Sequence, residues 1–71
     1  MLSGMKANHV NVSWDATKQK WLVRIEAGSE VIRRYCGQSK NADEDALRKA
    51  AAQTVADEGY AFDAGEIGVL R

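Results

Sequence analysis

The sequence predicts an α+β fold in which a three-stranded antiparallel sheet packs against one C-terminal α-helix, a βββα order. Three observations carry this. Residues Trp21 to Glu26, WLVRIE, alternate strictly, with Trp21, Val23 and Ile25 on one face and Leu22, Arg24 and Glu26 on the other. A second alternating run precedes it and a third follows, each set off by a turn signal. A breaker-free stretch rich in alanine then supplies a helix for the apolar face.

In chain order, Val10, Val12 and Trp14 alternate with His9, Asn11 and Ser13 and set the first strand at about 8–14. The polar run 15–19 reads as a hairpin connection. The second strand spans about 20–26, and Ala27-Gly28-Ser29 forms a tight turn in which Gly28 supplies a positive φ. The third strand spans about 30–36 and ends at Gly37. Here Ile32, Arg34 and Cys36 share the helix side, so Arg34 is expected to reach the sheet edge or pair with a helix acid.

Asn41 followed by Glu44 resembles a capping box with Asn in place of Ser or Thr, and places the helix at 42–58. Leu47, Ala50, Ala51, Thr54 and Val55 recur at three- and four-residue spacing as its apolar stripe. Gly59 is its expected C-terminal cap. Residues 60–71 are expected to form a short fourth strand at the sheet edge or a packed arm.

Seventy-one residues make one domain, 1–71, with its core over 8–59 and residues 1–6 expected to be disordered. A chain this short buries only about 60% of its unfolded surface. Little room remains for a catalytic cleft with supporting residues. The single cysteine, Cys36, excludes an internal disulfide. No apolar run approaches membrane-spanning length and the first residues lack a signal peptide's apolar core, so a cytoplasmic protein without a membrane partner is expected.

Charge is balanced but segregated. Residues 1–40 carry seven Lys/Arg against three Asp/Glu, and residues 41–71 carry three against seven. This describes a basic sheet and an acidic helix end. Acids in a first helical turn also follow simply from the helix dipole.

Catalytic chemistry has few candidates. His9 and Cys36 are single residues on opposite predicted faces, which disfavours a Cys–His pair. Cys36 suits a buried structural role better. Spaced His or Cys metal ligands and glycine-rich phosphate loops do not occur, and Asp43, Glu44 and Asp45 point in different directions on a helix. The reading is therefore non-enzymatic, with no metal, cofactor or small-molecule substrate. The surface that suggests function is the outer sheet face. It displays His9, Asn11 and Ser13, then Lys20, Leu22, Arg24 and Glu26, then Val31, Arg33 and Tyr35. Sheets of this kind enter DNA grooves, although a solvated sheet face carries Lys, Arg and Glu as well.

The pattern Val12-x-Trp14-Asp15-x4-Lys20-Trp21-x2-Arg24-Ile25, with Gly37, Asn41-x-x-Glu44-Asp45-Ala46, Ala50 and Ala51, resembles the APETALA/ethylene-response-factor DNA-binding domain over about residues 10–59. Related three-stranded sheets occur at the N-termini of phage-type integrases. The resemblance implies a sheet on one helix and a DNA major groove read by the sheet. The family's groove-facing positions fall on Arg24 and Glu26 of the second strand, and on Arg33 and Tyr35 of the third. Asn11 and Ser13 stand where the family has first-strand arginines, and Arg34 stands where it has an apolar core residue.

The expectation is a DNA-binding module using Lys20, Arg24, Glu26, Arg33 and Tyr35. The alternative is a protein-binding or inhibitor module, like small phage and bacterial proteins such as anti-CRISPR inhibitors that occlude a partner. It would use Asp43, Glu44, Asp45, Asp57 and Glu58, or the apolar tail with Tyr60 and Phe62, which also suits a homodimer.

Overall fold

The computed structural model describes residues 5–70. Its elements are β1 (Met5–Lys6), β2 (His9–Asp15), β3 (Lys20–Ala27), β4 (Glu30–Cys36), α1 (Glu44–Asp57), β5 (Tyr60–Ala61) and β6 (Gly68–Leu70), with a 3₁₀ turn at Ala64–Glu66. The main sheet has the order β4-β3-β2-β6. The first three are antiparallel neighbours, and β6 joins β2 in parallel. The α+β class with a single helix is as expected, and the fourth strand completes the sheet.

Register follows from the alternation. Val10 lies opposite Ile25, Val12 opposite Val23 and Trp14 opposite Trp21, while Ile32, Arg34 and Cys36 lie opposite Ile25, Val23 and Trp21. These residues form the inner face. Against it α1 buries Leu47, Ala51 and Val55, while Ala50 and Thr54, also expected in the stripe, are only partly buried. The alanines let the helix backbone approach, and Val12, Val23, Ile25, Leu47 and Ala51 are fully buried. Burying each large aliphatic side chain contributes about 1.5–3 kcal/mol.

Turn chemistry fixes the hairpins. Asp15 Oδ1 accepts from the amides of Thr17 (3.0 Å) and Lys18 (3.2 Å), and Gln19 takes φ +56° to re-enter β3. At the second turn Gly28 has φ +62°, as expected. The amide of Gly28 donates to Asn8 Oδ1 at 2.6 Å, and the amide of Asn8 donates to the Glu26 carbonyl at 2.7 Å. Asn8 thus ties the chain before β2 to the β3–β4 turn.

The helix start differs from the expected one. Asp43, not Asn41, is the N-cap, and its carboxylate accepts from the Ala46 amide at 2.8 Å. The polar loop makes one more turn first: Ser39 accepts from the Asn41 amide through Oγ (3.1 Å) and from the Ala42 amide through its carbonyl (3.0 Å). Asn41 is spent in that turn. At the other end Gly59, with φ +89°, follows the C-cap Glu58 and donates to the Ala56 carbonyl at 3.0 Å.

Arg34 takes the expected route to a helix acid. Its Nε and Nη2 donate to the two carboxylate oxygens of Glu58 at 2.9 and 3.2 Å, while Nη1 donates to the Arg33 carbonyl at 2.8 Å. Met5–Lys6, expected outside the fold, pair in parallel with Tyr60–Ala61. Residues 1–4 lie outside the described residues. Tyr60, Phe62 and Ala64 pack on the core edge and Ile67 is buried.

The corrected cap makes a clear prediction. Asp43→Ala lowers stability by about 1 kcal/mol, the usual cost of losing an N-cap carboxylate, whereas Asn41→Ala leaves it within about 0.5 kcal/mol, as for an exposed substitution. Urea unfolding of the two variants distinguishes the caps.

Candidate functional site

The inner-face register dictates the outer face, because a strand's side chains alternate. Three cross-strand rows result. His9, Glu26 and Val31 make the first; Asn11, Arg24 and Arg33 the second; Ser13, Leu22 and Tyr35 the third. Gly68 extends the second row and Leu70 the third, through the parallel pairing of β6 with β2. Asp15 and Lys20 face each other at the far end. All five residues expected to contact nucleic acid, Lys20, Arg24, Glu26, Arg33 and Tyr35, stand on this one face.

Arg24 and Arg33 are direct cross-strand partners, an arrangement that costs stability through like-charge repulsion. Glu26 relieves half of it by accepting from Arg24 Nη1 at 2.6 Å. The Arg33 guanidinium has no hydrogen bond or ion pair among the described residues. Tyr35 is anchored instead, its hydroxyl donating to Asp15 Oδ2 at 3.0 Å across the width of β3. The Asp15 carboxyl is held below the usual carboxylate range, first by the Lys18 amide and next by the Tyr35 hydroxyl. The Tyr35 phenol is pushed above its ordinary value, chiefly by its hydrogen bond to Asp15.

The same face is also the apolar one. Among the described residues the large hydrophobic side chains that stay exposed are Val31 (42%), Tyr35 (43%) and Leu70 (58%), and all three project from it. Leu70 belongs to the tail expected to form a short edge strand or arm, but its place on this face follows from its pairing with Ser13, which no sequence period discloses.

The acidic residues proposed for a protein partner are not brought together. Asp43, Glu44 and Asp45 sit at one end of α1, and Asp57 and Glu58 at the other, about 20 Å away for 14 helical residues. Each has an internal partner. Asp43 caps the helix, Glu44 and Asp45 meet Arg48 at 3.1 and 3.6 Å, Asp57 accepts from Gln53 at 3.0 Å, and Glu58 holds Arg34. Tyr60 and Phe62 lie half-buried against this chain's own core. His9 and Cys36 stand on opposite faces of the sheet, Cys36 on the inner one.

The Asp15–Tyr35 link has a definite pH window. A lowered Asp15 pKa gives stability that is present above about pH 4, the unfolded carboxylate value, and is lost as pH falls through the folded value. A raised Tyr35 pKa gives stability that is present below about pH 10, the unfolded phenol value, and is lost as pH rises through the folded value. In a Tyr60→Phe background, where Tyr35 is the one remaining phenol, spectrophotometric titration should show Tyr35 ionising at lower pH once Asp15→Asn is added. An unchanged Tyr35 titration contradicts the link.

Comparison with known proteins adds no relative to this geometry: no family model, no curated protein and no solved structure matches the chain at a significant level.

Proposed function

We propose that the protein is a non-enzymatic binding module that holds DNA against its outer sheet face. The observation that carries this reading is the register pair Arg24–Arg33, two cross-strand arginines of which only Arg24 has a carboxylate partner, Glu26. The like charge left at Arg33 is a cost that a polyanion removes. A phosphate accepting from Arg33 and from Arg24 completes the set with charge-assisted hydrogen bonds. Lys20 extends the cationic track along β3. Tyr35, its ring fixed by Asp15, offers a face to a sugar or base, and Glu26 can accept from a cytosine amino group.

A protein partner is the second reading, favoured by the exposure of Val31, Tyr35 and Leu70 on that same face, on either side of the arginine row.

The test is fluorescence anisotropy with a labelled random-sequence duplex, at low salt and at about 150 mM. The expected result is micromolar binding that weakens steeply with salt. Arg24→Ala combined with Arg33→Ala should cost at least about tenfold in affinity and reduce the salt slope by about one to two phosphates. Stability should stay within about 1 kcal/mol, because the one ion pair lost is only partly buried and joins two residues of one strand. Wild-type affinity in the double variant overturns the DNA reading. Absence of binding at low salt overturns it too and leaves the apolar rows as the working surface, to be tested by Val31→Ser with Leu70→Ser.

A further inference from the structure

At the end of the sheet nearest the helix start, away from the outer face, Trp14 and Trp21 form an open corner. They are cross-strand partners on the inner face, and their rings meet edge-to-face with centroids 5.4 Å apart and planes inclined at 70°. Trp21 is buried and its position is fixed by Nε1, which donates to the Ser39 carbonyl at 2.8 Å. Trp14 stays half-exposed and forms the outer wall. The loop leaving β4 brings Lys40 and Asn41 to the rim, and the Lys40 ammonium sits 5.7 Å from the centre of the Trp14 ring. Together these four residues line a pocket of about 180 Å³.

The chemistry of the lining is selective. The exposed side of the Trp14 indole, backed edge-to-face by the buried Trp21, provides an apolar, polarisable wall. The polar groups at the rim are an ammonium, which only donates, and an amide, and no carboxylate lines the pocket. Among the described residues the Lys40 ammonium is engaged only with the Trp14 ring, and the Asn41 side-chain amide has no hydrogen-bond partner. Their donors are therefore available to a ligand. A volume of about 180 Å³ corresponds to about six waters of liquid, which suits a single ring with one small substituent. An anionic group at the rim would add a charge-assisted hydrogen bond from Lys40 beside an apolar surface.

We infer that this corner is a binding site for a small planar aromatic anion, its ring against Trp14, with Trp21 behind it, and its charged oxygen on Lys40 and Asn41. The site is separate from the outer face and does not depend on what that face binds.

Benzoate is the probe, with benzamide as its neutral counterpart and acetate as the anion without a ring. The readout is the pair of indole N–H resonances in a ¹⁵N-correlated spectrum of the full chain. Benzoate should shift both resonances saturably with a Kd below about 1 mM. Benzamide should bind about tenfold more weakly, the difference made by one charge-assisted hydrogen bond. Acetate should give no saturable shift. Lys40→Met, which keeps the stem over Trp14 and removes the charge, should abolish the preference for benzoate over benzamide while leaving the unfolding midpoint close to wild type. Trp14→Phe, which keeps an aromatic at the core edge, should weaken both ring probes. Linear, non-saturating shifts with benzoate overturn the inference, as do equal affinities for benzoate and benzamide. Persistence of the benzoate preference in Lys40→Met overturns it as well.

Discussion

Packing of Leu47, Ala51 and Val55 on Trp21, Val23 and Ile25 is the contact on which the rest of this molecule depends. A chain of this length has a single small core, and these residues form its centre, with Val10 and Val12 added from β2. Once that face of β3 is committed to the helix, the pleat commits the other. A slip of one residue would drive Arg24 and Glu26 into the apolar layer and expose Val23 and Ile25. The outer-face rows are therefore as firmly specified as the core itself. A surface of charged side chains gains fixed positions without any packing of its own.

The two sheet edges are handled differently. At β2 the added strand β6 pairs with three residues, and the buried Ile67 just before it holds it there. At β4 no further strand pairs among the described residues, and a seven-residue edge with exposed apolar residues is a template for unwanted pairing. Arg34 answers that problem. Its guanidinium occupies the Arg33 carbonyl while gripping Glu58 with its other nitrogens. A residue that reads as a flaw in the inner-face pattern thereby guards the edge and ties it to the end of the helix.

Much of this was legible from the sequence, and the part that was not has a physical reason. Period-two alternation located β2, β3 and β4 because each strand has one face in the core and one in water. Gly28 and Gly59 marked their turns because both take positive φ. The helix cap was misplaced by two residues because Asn41 and Asp43 are both competent caps, and the choice is made by Ser39, which consumes the Asn41 and Ala42 amides first. The strands β1 and β5 are two residues long and pair with distant segments, so no local pattern announces them, whereas β6 is the short edge strand expected within 60–71. The outer-face residues were readable as a group, but the pairing of Arg24 with Glu26, and of Tyr35 with Asp15, required the register. The tryptophan corner depends on a loop with no periodicity folding back over a hairpin end, and nothing in the spacing of Trp14, Trp21 and Lys40 discloses it.

Zero net charge misdescribes this surface. The acids are largely consumed by the fold: Asp43 caps α1, Asp15 and Asp63 accept amides in turns, Asp57 accepts from Gln53, and Glu26, Glu44, Asp45 and Glu58 face arginines. Several of these partners are neutral N–H groups, so the carboxylate keeps its charge but holds it at a fixed place in a turn or at a helix end. Lys18 and Lys20 at one end of the sheet and Arg33 at the middle of β4 stay exposed, with no ion pair among the described residues. Local potential, not the sum over the chain, governs what approaches a surface within a Debye length of about 8 Å at physiological salt. A formally neutral protein can in this way present a cationic sheet face, provided its acids are the residues that build its helix ends and turns.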